Sequence, residues 1–457
     1  MQQIKPLTLR RNFSWTFAGN IVYAACQWGM LVMLAKLGSP EMVGQFTLAL
    51  AVTAPVLMLT NLQLRQIQAT DAKSEYIFGD YFGLRLISTG VALLAIGGIA
   101  IAAGYRWETS LVILIIGLAK GFESISDVFY GLIQQHERMD RIAVSMIIKG
   151  PLSLLFLGIG LHLTGSVLGG AIGLAIAWGF VLVSYDIRSG ALLLNAPVWG
   201  EGEAKTQGEF PIQNPRSQAG ARELAKIQNR LQARWHLKTL GKLVWLALPL
   251  GFVMMLISLN TNIPRYFIER YLGERELGIF AAIAYLMVAG NMVVGALGQS
   301  ASPQLAKYYA AGNSVAFLRL LLKLTGIAAL PSVGGVFVAL VAGKQLLTLL
   351  YRPEYAQYLD VFVLLTVAAG INYTFAFLGY GRTAARYFLI QAPLSFLVTT
   401  ASAITCFWLI PSQGLRGAAI ALIIAAIVEA VSNFGVILHA LHQLDRPFKE
   451  DQNHDPR

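Results

Sequence analysis

The chain has 457 residues, 56% hydrophobic and 13% charged, with a mean hydropathy of +0.59, where soluble proteins carry about a quarter charged residues. Ordinary soluble folds are excluded, and the chain reads as a polytopic membrane protein. The net charge of +11 would suit a nucleic-acid binder, but Lys and Arg sort between alternate connections, so no nucleic acid is expected as a partner.

A helix crossing the hydrocarbon core, roughly 30 Å thick, needs about 20 apolar residues. Twelve runs qualify: 13–36, 43–60, 84–103, 111–134, 142–163, 166–185, 240–260, 277–298, 318–341, 359–378, 388–410 and 417–441. The first is longer than a signal-peptide core and no small-residue cleavage site follows it, so it is expected to stay as a helix. With the N-terminus in the cytoplasm, 25 Lys and Arg lie on the inner side and 8 on the outer, which places both termini inside. Cys26 and Cys406 both fall within spans, implying neither a disulfide nor a metal cluster.

The expected fold is all-α, with about twelve transmembrane helices in two six-helix lobes, 1–186 and 240–441, around a central cavity. A cytoplasmic linker at 187–239 and a tail at 442–457 complete the chain. The linker begins with a stretch rich in Gly, Pro, Gln and Glu, then places Leu224, Ile227, Leu231 and Trp235 at helical spacing with basic residues opposite. That pattern predicts an amphipathic helix on the anionic inner membrane surface. Each lobe opens with a similar phrase, LGSPEMVGQF at 37–46 and LGERELGIF at 272–280, as if one tight hairpin were used twice. A weaker echo pairs AKGFESISDVFYG at 119–131 with AAGINYTFAFLGYG at 368–381. Internal prolines at 55, 151, 249, 331 and 393 suit helices that bend.

Span four carries the chain's unusual chemistry. At 100° per residue, Lys120, Glu123, Asp127, Tyr130 and Gln134 fall within an arc of about 80°. A charge at the depth of Lys120 costs at least about 2.5 to 3.5 kcal/mol against lipid, so the stripe must face protein or water. Span five repeats the pattern with Arg141, Ser145, Lys149 and Ser153. Asp127 and Lys149 both lie roughly 10 to 12 Å from their shared hairpin, which predicts that they come within salt-bridge reach in at least one conformation. Asn20, Tyr23 and Gln27 in span one, Asn291 in span eight, Asn372 and Tyr373 in span ten, and Glu429 and Asn433 in span twelve add further polar groups. A purely structural role for single amides is the simpler account, whereas ionisable groups at this depth usually mark a transport path. No Walker loop, HExxH, GxSxG or Cys/His ligand spacing occurs, so no enzyme activity, metal or cofactor is expected. The longest outer connection is read as 261–276, too small for a glycan polymerase or glycosyltransferase site.

The opening RRNFSWTFAGNIVYAACQW, LGSPEMVGQF followed by LRQIQATD, KGFESISDVFYGLIQQHERMDRIA, and LGERELGIFAAIAYLMVAGNMVVGALGQSASPQLAKYY resemble the Wzx type of polysaccharide flippase. That type belongs to the multidrug/oligosaccharidyl-lipid/polysaccharide (MOP) exporter superfamily. The resemblance implies a two-lobed bundle in a bacterial plasma membrane that opens alternately to each side. It implies outward movement of an undecaprenyl-diphosphate-linked oligosaccharide, with a polysaccharide polymerase and glycosyltransferases as partners. Lys120 and Lys149 would receive the diphosphate, with Asn20, Tyr23, Gln27 and Asn291 on sugar hydroxyls. Glu123, Asp127 and Glu429 would couple transport to protons or sodium. The alternatives are a drug or cation exporter of the same superfamily and a membrane glycan polymerase.

Overall fold

The computed structural model describes residues 7–71, 75–194, 232–387 and 389–444. Most of the linker, with the amphipathic segment up to Leu231, and the tail beyond Leu444 lie outside the described residues. The described residues are helical, without a strand. In chain order the helices are α1 (Leu9–Leu37), α2 (Pro40–Thr60), α3 (Leu64–Thr70), α4 (Phe78–Ala102), α5 (Trp107–Gln135), α6 (Met139–Thr164) and α7 (Val167–Val181). A π-helical turn, Leu182–Asp186, leads into α8 (Ile187–Leu194). After the linker come α9 (Leu237–Leu272), α10 (Glu274–Tyr285), α11 (Val288–Ala310), α12 (Ser314–Leu350), a 3-10 turn at Pro353–Tyr358, α13 (Leu359–Ala384), α14 (Gln391–Gln413) and α15 (Leu415–Leu444).

Ten of these helices or helix runs are long and apolar enough to cross a membrane, and the bent pair α10 and α11 supplies an eleventh. Outside that count stands α5, 29 residues long and loaded with Lys120, Glu123 and Asp127, in the place of the expected fourth span. The chain divides into two compact units, Met1–Ser258 and Leu259–Arg457, with the boundary inside α9.

Local chemistry explains where the helices stop. Ser39 accepts a hydrogen bond from the Met42 amide at 3.4 Å, and Pro40 takes the first helical position of α2, where its missing N–H costs nothing. Ser166 and Asn313 cap α7 and α12 in the same way. Both copies of the repeated LG phrase form tight links: Gly38 with Ser39 joins α1 to α2, and Gly273 alone joins α9 to α10.

In the first unit α1 lies along α6, α6 along α7, and α5 packs amid α2, α4 and α7. The α6–α7 seam is backbone against backbone: a Cβ on Gly160 would fall 2.1 Å from the Gly169 carbonyl oxygen, and one on Gly173 2.1 Å from that of Phe156. Small residues allow such approach where lipid supplies no hydrophobic drive. Gly173→Ala is therefore expected to destabilise the protein by about 1 to 3 kcal/mol and lower its thermal unfolding temperature in detergent. Gly90→Ala, with nothing within 4 Å, should leave it unchanged; equal behaviour of the two would refute the packing account. The second unit is built around Leu305, Phe317, Leu321, Phe377 and Ile437.

Three spans differ from expectation. The seventh runs on to Leu272, despite Pro249 and Pro264, so the supposed outer loop 261–276 is mostly helix. At 36 residues, α9 is about 54 Å long and exceeds the hydrocarbon core. The ninth likewise continues to Leu350. The eighth is not one rod, because α10 and α11 meet at 41°. No proline marks the break, but Gly290 just beyond it leaves room for the Tyr373 ring of α13, which would stand 2.5 Å from a Cβ there. The Tyr373 hydroxyl donates to the Met287 carbonyl, satisfying a backbone group that a bend exposes. Pro55, Pro151 and Pro331, by contrast, sit inside helices assigned without a break.

Candidate functional site

The α5 stripe opens on a cavity of about 660 Å³ in the first unit, lined by Tyr23, Asn61, Arg65, Lys120, Glu123, Asp127, Tyr130, Gln134 and Lys149 together with apolar groups. Three ionic assemblies form its wall.

The first surrounds Glu123. Lys120 donates to Oε2 at 2.7 Å, and the Tyr23 hydroxyl of α1 donates to Oε1 at 2.9 Å. The Lys120 ammonium also lies 4.8 Å from the centre of the Trp178 ring, a favourable cation–π position. Trp178 in turn donates to Ser153 at 2.7 Å. Lys120 and Glu123 keep 29% and 31% of their side-chain surface exposed.

The second is closed to solvent. Lys149 lies 3.6 Å from Asp186 Oδ2, the two side chains being 2% and 0% exposed. Lys149 donates to the Tyr130 hydroxyl at 3.0 Å, Tyr130 and Ser145 share a 2.7 Å hydrogen bond, and Ser145 donates to Asp186 Oδ1 at 2.5 Å. Asp186 ends the π-helical turn, a local widening that re-aims side chains.

The third joins two arginines on one carboxylate. Arg65 and Arg85 each lie 3.4 Å from Asp127, on Oδ1 and Oδ2. Arg85 is fully buried, with Nη1 donating to Asn61 Oδ1 at 2.5 Å and Nε without a hydrogen-bond partner among the described residues. Arg65 is 31% exposed, donates from Nε to Gln134 at 3.0 Å and sits over the Tyr130 ring. It is presented by α3 after a sharp turn in which Leu62 and Gln63 adopt φ of 52° and 51°. The left-handed region costs a non-glycine residue about 1 to 2 kcal/mol. Burial of Leu62 against Leu240, Leu243 and Tyr81, with the Arg85–Asn61 bond, holds the turn.

Of the residues singled out from sequence, Tyr23, Lys120, Glu123, Asp127 and Lys149 line this cavity. Asn20 is exposed and Gln27 half-buried, and neither lines it. Asn291 and Glu429 belong to the second unit, where both are exposed. Arg382 neighbours Glu429 and donates to Asn433 at 2.8 Å. The Asp127–Lys149 pair, expected in at least one conformation, is not formed in this one: Asp127 meets Arg65 and Arg85, and Lys149 meets Asp186, because equal depth along two helices says nothing of azimuth. Arg65, Arg85, Asp186 and Trp178 were missed. In the sequence Arg65 and Arg85 read only as inner-side charge, although Arg85 lies in the apolar run FGLRLISTG, the signal that sets it apart.

Compared with models of known protein families, the chain matches none. It is 28% identical over 425 residues to the capsular polysaccharide biosynthesis protein CapF of Staphylococcus aureus, covering 93% of this chain and 98% of that one. Among solved structures it is similar to an inward-facing multidrug resistance MATE family transporter of the MOP superfamily, with a TM-score of 0.68, 14% identity, and 95% and 99% of the two chains covered. It is also similar to the lipid II flippase MurJ in an inward closed conformation, with a TM-score of 0.65, 12% identity, and 94% and 90% covered. Fold and full-length sequence likeness together support the resemblance read from the residues: the chain is a multi-pass membrane protein with the fold seen in the MATE transporter and MurJ structures, and it is similar along nearly its whole length to a capsular polysaccharide biosynthesis protein.

Proposed function

We propose that the protein carries an undecaprenyl-diphosphate-linked oligosaccharide from the cytoplasmic to the outer face of a bacterial plasma membrane by alternating access. The observation that carries this reading is a cavity at membrane depth whose lining sets Arg65, Lys120 and Lys149 against only Glu123 and Asp127. Such a surplus favours a diphosphate and disfavours the cationic drugs of a multidrug exporter. A polymerase or glycosyltransferase would need an acceptor site outside the bilayer, and the single-residue link at Gly273 leaves little room for one there. The sequence likeness to a capsular polysaccharide biosynthesis protein supports the same substrate class. On this reading the chain makes and breaks no covalent bond. Glu123, Asp127 and, in the second unit, Glu429 are the groups through which protons or sodium drive the cycle. Asn20, Gln27 and Asn291 meet sugar hydroxyls in other states of it, both termini and the linker lie inside, and polymerase and glycosyltransferases are neighbours in the pathway.

The test is reconstitution in vesicles with a fluorescent polyprenyl-diphosphate sugar in one leaflet. Protein-dependent movement to the other leaflet, read by an impermeant quencher, is expected. Export of a cationic dye with no lipid movement would replace this reading with the drug-exporter one.

A further inference from the structure

The charges around the cavity are not evenly matched. Lys120 has Glu123 and Lys149 has Asp186, one cation to one anion, but Asp127 is shared by Arg65 and Arg85. The local excess of positive charge therefore resides in this triad. Its members are not equivalent. Arg85 is wholly buried, and Asp127 is the only carboxylate within 4.0 Å of it among the described residues. Arg65 is a third exposed, lines the cavity, and reaches Asp127 at 3.4 Å, well beyond the 2.7 to 2.9 Å of a strong charge-assisted hydrogen bond.

Resting on the flippase reading above, we propose that Arg65 grips the diphosphate beside Lys120, and that Arg85 positions Arg65 by holding Asp127 in its place. If Arg65 turns to an entering anion, Asp127 is still neutralised by Arg85, so no uncompensated carboxylate remains at membrane depth. Without Arg85, Asp127 would claim Arg65 as its sole partner and the cavity would lose its surplus charge. The left-handed turn at Leu62 and Gln63 fits this role, since backbone strain of this kind gathers at ligand clamps. It starts the short helix α3 within two residues of Arg65, so a small change there re-aims the guanidinium. Planar, bidentate contact with phosphate oxygens is what arginine provides and lysine does not.

The test uses the full chain in lipid nanodiscs and measures affinity for farnesyl diphosphate, with farnesol and inorganic pyrophosphate as the other two arms. Arg65→Gln is expected to weaken farnesyl diphosphate binding at least about tenfold, the loss of one charge-assisted contact, and Arg65→Lys to weaken it less. Arg85→Gln should weaken it comparably although Arg85 does not line the cavity, and adding Asp127→Asn to Arg85→Gln should restore wild-type affinity or better. A merely structural Arg85 would not be rescued by the second change, so a double variant that folds but binds as weakly as Arg85→Gln overturns its positioning role. If Arg85→Gln alone does not fold, the comparison of the charge-balanced double variant with Arg65→Gln decides. Wild-type affinity in Arg65→Gln overturns the assignment of Arg65. Pyrophosphate binding as tight as that of farnesyl diphosphate points to a free anion and overturns the lipid head group as ligand. A wild-type chain that binds neither diphosphate would bring down the flippase reading itself, a result distinct from wild-type binding that ignores Arg65.

Discussion

Lys149→Ala is expected to remove most of the protein from the membrane. Asp186 is 0% exposed and its cation lies 3.6 Å away, so the truncation leaves a buried carboxylate with Ser145 as its remaining close partner. Removing one member of a buried pair costs about 3 to 5 kcal/mol, a large part of the roughly 5 to 15 kcal/mol that holds a typical protein together. Converting both members to neutral groups, Lys149→Met with Asp186→Asn, should recover much of the abundance, because a buried pair can be exchanged for uncharged groups at little cost. Membrane abundance and monodispersity on size exclusion are the measurements. A single Lys149→Ala protein that accumulates and melts like the wild type would show that the Asp186 assembly bears little of the structure.

The complementary expectation concerns Lys120, which by composition looks equivalent to Lys149. Its side chain is partly exposed to the cavity and its pairing with Glu123 is within one helix, the kind of partly solvated contact that is worth at most about 1 kcal/mol. On the proposed flippase reading, Lys120→Ala should therefore accumulate normally and yet lose glycan export by about tenfold or more, the cost of one charge-assisted contact if Lys120 meets the diphosphate. Lys120→Arg should keep part of the activity because the charge survives. If Lys120 serves only to balance Glu123, replacing the two together with Ala and Gln will restore export; if it meets the substrate, the double variant will insert and still fail. Protein level and surface polysaccharide in a flippase-deficient strain decide the matter, and full export by Lys120→Ala at normal abundance would end its role in substrate binding.

The amino-acid sequence by itself determined the membrane class, the approximate helix positions and the existence of a polar stripe on α5. Each of these depends on periodicity and on a fixed membrane thickness, quantities that operate over a few turns of one helix. The spacing of Lys120, Glu123 and Asp127 places them on one face whatever the neighbours do, and the need to shield such charges from lipid makes them face inward. The repeated LG phrase was legible for the same reason, since a one- or two-residue link between long helices has few solutions. What those charges touch was decided by tertiary structure. Asp127 meets Arg65 and Arg85 across 62 and 42 residues of chain, through the packing of α3 and α4 against α5. Depth along a helix could not choose between them and Lys149. Asp186, at the end of the π-helical turn after α7, is a buried counter-ion to Lys149 across the α6–α7 packing. The break in the eighth span has no proline to announce it and rests on a tyrosine from α13 that packs over Gly290. Which cation is left to spare depends on how many partners each carboxylate finds in three dimensions, and linear spacing does not encode that count.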